Sequence, residues 1–522
     1  MHKLKTRSTK NIIGLKLSGK LTGEEYAELI PILEQRIKEY GKIRLLIELD
    51  HWEGWGPYAS LKDFVFVLKN SFKIERIAFL IKSKIDKQSI LIDQPFTPWF
   101  GHQTKYFSSK EEDVAWRWVE EGIVDSPNNM KDKEGSAHKG KVKYGPKMKV
   151  LIIGGGVTGL TLANLLQQKG FEPTIVEASE EYPRTDRLFN CWAGGFGILK
   201  ALGLYKKFLK NASTFDKALF YNHKGEFLKE FNLSNIFGEF GPYISIPHRN
   251  LIKLLTKKLS IHSLKVGIAA TKLKETKDSV KVTFSDGNKL SYDCVVCADG
   301  VHSKLRELVF ENAHPTYSGF IAWSFGIVPR FKFPKELSIY KAKDRFIILF
   351  PSSERLHAFV AIKHKEQIQQ AKDKRLSLLK DSFKDFNEYV HNVIHAIEYS
   401  ESIWHEGIYT YDGSRRSLSR IAFVGDAAYA FMPTTLLRGF SSLESTWLLS
   451  ETLSRTDTQM LPEALKRYEV KSLKFINSIK SYAEEHRNRG FFSDEILSMD
   501  EMNESEIRLF FNKIIKYINE DY

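Results

Sequence analysis

The sequence predicts an α/β protein in two unequal parts, and three observations carry that prediction. Residues 147–177 read as a buried strand, a glycine turn, a helix and a second strand, the repeating unit of a parallel sheet covered by helices. The first 122 residues alternate strands and helices in a rhythm of their own. Between them, residues 123–147 are rich in Lys, Gly, Asn and Ser and hold almost nothing apolar, so they read as a flexible tether. His138 within the tether is a solvated residue on this reading.

A chain of 522 residues exceeds one core and predicts two to four domains. With 42% hydrophobic and 27% charged residues it has the composition of a soluble globular protein. The net charge of +14 is spread along the chain without a compact basic block, which argues against a nucleic-acid partner and fits affinity for anionic cofactors. No apolar run of about 18 residues predicts a transmembrane helix. The start, MHKLKTRSTK, is not a signal peptide. Three cysteines give no disulfide framework, and a reducing cytoplasm is the expected compartment.

Taken in order, residues 11–17 predict a strand. Thr22 and Glu25 form a capping-box pattern ahead of a helix from Glu24 to about Tyr40, with Leu29, Ile30, Leu33 and Ile37 as its apolar stripe. Residues 43–49 predict a strand, 61–68 a helix and 76–81 a strand. KYFSSKEEDVAWRWVEEG predicts a closing helix capped by Ser108 or Ser109. The loop entry LIELDHWEGW, the strand ERIAFLI and the ending KYFSSKEEDVAWRWV resemble the SpoIIAA-like family, small relatives of STAS and Sec14-type domains. The resemblance covers nearly all of residues 8–122 and implies a binding or regulatory module, leaving a peripheral membrane or a protein partner open. STAS regulators carry a phosphorylatable residue after their second main strand. The nearest match is Ser60, in a loop whose wording departs from that pattern.

In the larger part the turn is Gly154-x-Gly156-x-x-Gly159. The first glycine permits the turn, the second lets a pyrophosphate approach the backbone, and the third lets the helix pack on its strand. Val157 and Thr158 open the helix, whose N–H groups and dipole face the phosphates. Glu177 ends the second strand, about 20 residues on, where a carboxylate meets a ribose diol. This predicts a dinucleotide site. Arg184 and Arg187 follow within reach of a phosphate, and Arg249 opens the amphipathic helix NLIKLLTKKL. Cys294 and Cys297 lie in a strand pattern that points them to opposite faces, so they read as buried structural thiols. That strand runs into Asp299-Gly300, and a later one, RIAFV, runs into Gly425-Asp426.

The three signatures in this order, GGGVTG with Glu177, CADGVHSKLR and RIAFVGDAAYAFMP, resemble the group A flavoprotein monooxygenases of the p-hydroxybenzoate hydroxylase fold, from about Lys149 to about Arg489. FIAWSFGIVP is similar to a strand these enzymes use near the flavin. The resemblance implies a Rossmann-type FAD-binding domain with an interleaved β-sheet substrate domain at 148–455, its sheet at about 307–405, followed by a C-terminal helical region at 456–522. It implies that Gly154, Gly156 and Gly159 hold the FAD pyrophosphate and that Glu177 holds the adenosine ribose. Arg187 and Arg249 match family arginines, Asp299 with Gly300 would touch FAD phosphate and assist NAD(P)H, and Asp426 would contact the ribityl chain. It also implies that NAD(P)H reduces FAD and that O₂ then forms a flavin hydroperoxide, which hydroxylates a small aromatic or lipid-like substrate.

One stretch departs from the family. Where glycines follow the proline, this chain has Leu436 and Arg438 after Pro433, with Gly439 displaced by one, and Ser445 stands where many members have Asp. The departure keeps two alternatives in play: a flavin reductase or dehydrogenase that does not hydroxylate, and a regulatory or lipid-binding protein with a redox-sensing or degenerate flavin domain. No side chain is marked as an acid or base, and no metal cluster is legible. The tail predicts a helix over 462–486 and a final helix capped by Asn503 with Glu506, whose stripe (Ile507, Phe510, Phe511, Ile514, Ile518) is expected to dock on the protein's own body, with a partner groove or membrane as the lesser alternative.

Overall fold

The computed structural model describes residues 2–9, 11–21, 23–55, 74–81, 103–121, 148–182, 187–191, 196–237, 242–352, 354–366, 371–432, 438–485 and 503–509. The predicted helix over 61–68, Ser60, the 123–147 tether, Arg184, Leu436 and the stripe beyond Ile507 lie outside the described residues. The chain divides into two compact units, Met1–Lys147 with Tyr522, and Met148–Asp521.

In the first unit a five-stranded sheet runs His2–Leu4, Ile12–Leu21, Ile43–Trp55, Ile74–Ile81, Gln103–Ser108. Only its first pair is antiparallel. Strand alternation sends Ile13, Leu15 and Leu17 to one face, where they meet Leu29, Leu33 and Ile37 of the helix Gly23–Tyr40. Ile12, Leu46, Ala78 and Leu80 point the other way, onto Trp116 and Val119 of the helix Glu112–Glu120. The strand Gln103–Ser108 corrects the sequence reading, which took KYFS as the approach to a helix. Parallel pairing with Ile74–Ile81 overrides the local pattern. Ser108 still marks the turn, because its N–H and hydroxyl both donate to Glu111 Oε2 at 2.8 Å.

The second unit is built on a five-stranded parallel sheet in the order Leu264–Val266, Thr174–Glu177, Val150–Ile153, Cys294–Cys297, Ile421–Phe423. Val150–Ile153 is buried throughout, with Leu151 and Ile153 in one core with Val280, Val282, Phe284 and Tyr292 of a separate three-stranded antiparallel sheet. From it the chain passes through the helix Val157–Gln168 to Thr174–Glu177 on one side, while Cys294–Cys297 pairs on the other. That reversal is a topological switch point, where open α/β sheets hold their ligands. Both cysteines are fully buried, and burial pushes the Cys294 thiol up to about 12 and Cys297 well above its ordinary value, so neither is a thiolate at neutral pH.

A seven-stranded sheet forms the second layer, in the order Phe227–Asn232, Lys217–Asn222, Leu337–Lys341, Arg345–Pro351, Leu356–Lys363, Thr316–Ile327, Trp404–Thr410. This corrects the expected boundary at about 307–405. Two of the strands come from 217–232, and Lys217–Asn222 joins by pairing parallel with Leu337–Lys341. The helices Arg438–Ser454 and Leu461–Glu485 follow, and residues 504–509 are helical. Among the described residues, no helix is long and apolar enough to cross a membrane.

Candidate functional site

At the switch point the three glycines do three different jobs. Gly154 takes φ +111°, and a Cβ there would lie 2.3 Å from the Ala298 carbonyl oxygen, so the turn and the neighbouring strand both require glycine. A Cβ on Gly159 would lie 2.0 Å from the Gly154 carbonyl oxygen, which fixes helix against turn. A Cβ on Gly156 would meet nothing within 4 Å, because it would project into a cavity of about 520 Å³ that Gly156, Val157 and Thr158 line. The first-turn N–H groups of a helix have no intrahelical acceptors, so this rim of backbone donors suits an anion.

Glu177 stands behind the turn. Its carboxylate accepts the Gly155 N–H at 2.8 Å and the Ser179 N–H at 2.9 Å, while the Tyr182 hydroxyl donates to the Gly155 carbonyl at 2.8 Å. Burial, aided by the Glu177 charge, pushes the Tyr182 hydroxyl up to about 12, so it remains a neutral donor. Tyr182 is a residue the sequence reading missed.

Gly425 takes φ +60°, and a Cβ there would be 2.6 Å from Thr158 Oγ1. Glycine therefore brings the Gly425-Asp426 turn against the helix start, with Asp426 lining the cavity. The Gly425 N–H donates to Ser445 Oγ at 3.0 Å, so the serine that replaces the family's Asp anchors this turn. Gly439 also lines the cavity, and a Cβ there would be 2.5 Å from the Asn190 carbonyl oxygen.

Asp299 and Gly300 line the same cavity. Asp299 Oδ2 accepts the Ser303 hydroxyl at 2.8 Å, and its buried Oδ1 has no partner in the protein. The fully buried Arg306 guanidinium donates to the carbonyls of Val301 at 2.6 Å, Ala313 at 2.9 Å and Ala427 at 3.1 Å, and its carbon lies 3.7 Å from the Tyr411 ring centre. It therefore ties the Asp299 turn to the Asp426 turn. Arg306 ended a motif in the sequence, but only the fold shows what it joins.

Burial pushes the Asp299 carboxyl up to about 6, against the opposing Ser303 hydrogen bond and Arg306 charge. A carboxyl raised from 3.8 holds its proton more tightly folded than unfolded. Its contribution to stability is complete below about pH 4 and is lost as pH rises through about 6. In protein stripped of cofactor, Asp299→Asn should therefore gain on the parent between pH 4 and 7, by up to about 3 kcal/mol. Unfolding midpoints taken across that range check the sign. A parent-to-variant difference that stays flat would remove the buried-carboxyl assignment.

At the junction of the two layers, the Arg187 guanidinium lies 5.2 Å from the Trp404 ring centre, and the Arg187 carbonyl accepts the His248 N–H at 2.8 Å. His302 Nε2 pairs with Glu406 Oε1 at 3.1 Å. Burial, with the Arg187 charge, pulls His248 down to about 3, so the ring is neutral at physiological pH. His248 lines the cavity, whereas the predicted Arg249 is exposed on the next position of the helix His248–Thr256 and does not line it. Gly154, Gly159, Glu177 and Gly425 shape the site from behind, and Gly156, Val157, Thr158, Arg187, Asp299, Gly300 and Asp426 face it.

Beyond this junction the wall is apolar. Ala218, Phe220 and Phe231 face the cavity from the 217–232 hairpin, Leu233, Ile236 and Phe237 from the helix Leu233–Phe237, and Leu337, Ile339, Ile348, Phe350 and Phe359 from the other strands. Phe220 and Phe231 meet edge to face at 5.4 Å. Asn190 also lines the cavity, and its side-chain oxygen is buried without a protein partner.

The residues present fit an FAD. A glycine cradle opens onto the cavity, Glu177 is held at the end of a strand, and Asp299, which lines the same cavity, keeps a buried oxygen without a protein partner.

Comparison with known proteins agrees with this geometry. A family model described as an FAD binding domain matches residues 147–472, and one described as SpoIIAA-like matches residues 12–120. The chain is 26% identical over 328 residues to a putative FAD-dependent monooxygenase of Bacillus subtilis, covering 58% of this chain and 84% of that protein. It is 26% identical over 309 residues to the 3-amino-4-hydroxybenzoate 2-monooxygenase of Streptomyces cremeus, covering 55% and 73%. In fold it resembles Klebsiella pneumoniae HpxO, solved with FAD and uric acid, with a TM-score of 0.61 and 21% identity over 71% of this chain and 97% of that one.

Proposed function

The chain belongs to the FAD-binding-domain family and is a flavin-dependent monooxygenase that carries a SpoIIAA-like domain; on that premise we propose that it uses NAD(P)H to hydroxylate a small, uncharged, largely apolar organic molecule. The observation that supports this reading most is the division of the cavity. Its charged side chains (Arg187, Asp299, Glu406, Asp426) all belong to the glycine-turn layer or the junction, and the 217–237 and 337–359 walls offer none.

Magnitude decides the substrate class. Moving a carboxylate out of water without a partner costs several kcal/mol, and the apolar wall supplies none. An uncharged ring gains about 25 cal/mol per Å² of apolar surface buried there. FAD bound there would supply the redox chemistry between the nicotinamide and O₂. The chain's share is binding and dryness. Backbone donors from Gly156 to Thr158 would hold the diphosphate and Asp426 the ribityl chain, with Glu177 bracing the turn from behind, while the phenylalanine wall keeps water from the reacting end. Neutral His248 adds a polar ring without a charge beside Arg187.

An absorbance spectrum of the purified protein, followed through anaerobic NADPH addition and readmission of air, tests the reading. Bound flavin that bleaches with NADPH, and faster with uncharged aromatics than with benzoates, is the expected result. A retained flavin that neither NADH nor NADPH can reduce, with or without such compounds, would sink it.

A further inference from the structure

The apolar chamber takes one lining residue from a segment remote in sequence from the rest of its wall. Residues 504–509 are helical, and Ile507, with no exposed surface, lines the cavity. The turn is fixed locally. The Asn503 side-chain oxygen accepts the Glu506 N–H at 2.9 Å, and the Asn503 N–H donates to Glu506 Oε2 at 3.0 Å, two reciprocal bonds that cap the first turn.

It is also latched to the chamber. Glu504 Oε1 accepts the Asn232 N–H at 2.5 Å, and Oε2 accepts the Asn235 side-chain amide at 3.3 Å. The Asn232 side-chain oxygen accepts the Asn235 N–H at 2.9 Å, so the latch grips the start of the helix Leu233–Phe237. Leu233, Ile236 and Phe237 of that helix line the chamber. Glu504 and Ile507 are three residues apart and share a helix face, so holding the first places the second. Leu509 is 50% exposed, so this short helix presents one face inward and another to solvent.

We propose that Ile507 is a specificity-determining residue: the C-terminal turn, latched by Glu504, places its side chain across the end of the substrate chamber and so sets the length of molecule admitted. This rests on the reading above that the apolar end holds substrate. Glu504 touches neither substrate nor cofactor and is a positioning residue.

Full-length holoenzyme titrated with 4-n-alkylphenols of increasing chain length, read by the perturbation of flavin absorbance and fluorescence, tests the assignment. Affinity should rise about fourfold per added methylene until the chain reaches Ile507, then fall. Ile507→Ala should move that optimum to longer chains and Ile507→Phe to shorter ones, each with parental FAD content. Ile507→Val, should the alanine variant not fold, should give a smaller move in the same direction. Glu504→Ala should flatten the length dependence although residue 507 is unchanged. An optimum that stays put in Ile507→Ala (or Val) and Ile507→Phe, with FAD retained, overturns the proposal. Absence of binding by both parent and Ile507→Ala overturns it as well. Protein that never holds FAD overturns instead the functional reading on which the proposal stands.

Discussion

Gly156→Val is expected to strip the protein of FAD while leaving the chain folded. Gly156 adopts φ −71° and ψ −178°, extended backbone open to any L-residue, and a Cβ there meets no protein atom within 4 Å. The added isopropyl group therefore costs the fold little. It projects into the space where the diphosphate must approach the backbone donors. Losing charge-assisted hydrogen bonds worth about 1.5–3 kcal/mol each weakens FAD binding by at least about a hundredfold. Its neighbours would fail differently. Valine at Gly159 would drive a Cβ to 2.0 Å from the Gly154 carbonyl oxygen, and any side chain at Gly154 meets φ +111° and the Ala298 carbonyl, so those changes break the fold first. Flavin-to-protein ratio and circular dichroism separate the two outcomes. A Gly156→Val protein as yellow as its parent would show that the diphosphate does not lie there.

This contrast explains what was legible in the sequence. The glycine turn could be read because its demands are local: a positive φ, a close approach and an open face each select glycine whatever the rest of the chain does. Acids at strand ends are legible for a similar reason, since strand pattern and terminus sit side by side in the sequence. Features that depend on long-range pairing were not. Nothing local in KALFYN announces that it pairs with Leu337–Lys341, and nothing in KYFS announces a strand beside Ile74–Ile81. The choice between His248 and Arg249 turns on helix phase, which places the first on the cavity and the second in solvent. Ile507 was readable as part of an apolar stripe, but where it packs is decided by Glu504 meeting Asn232 across the fold. Ser445, which reads as a departure from the family pattern, is explained only once its hydroxyl is seen beneath Gly425.

Arg306→Met should destabilise the flavin-binding unit strongly. The guanidinium is fully buried and serves carbonyls from three separate segments, those of Val301, Ala313 and Ala427, while stacking on Tyr411. Methionine fills much of the volume but carries no donor, so three buried carbonyls lose their partners at about 1–3 kcal/mol each, partly relieved by relaxation. A net loss of about 3–5 kcal/mol is expected, comparable to removing one partner from a buried ionic contact. Lysine keeps the charge but cannot reproduce a planar fork reaching three acceptors, so Arg306→Lys should recover only part. FAD affinity should fall along with stability, because Val301 and Ala427 immediately follow the turns that bring Asp299 and Asp426 to the cavity. That coupling separates a positioning role from ordinary packing. A neighbouring core truncation such as Phe310→Leu, which contacts Phe423 but donates to neither turn, should lower the unfolding midpoint with far less effect on FAD dissociation. Unfolding midpoints with and without added FAD, measured for the three variants and the parent, decide the matter. A loss below about 1 kcal/mol in Arg306→Met would mean that the carbonyls find other donors and that the two turns hold their places unaided.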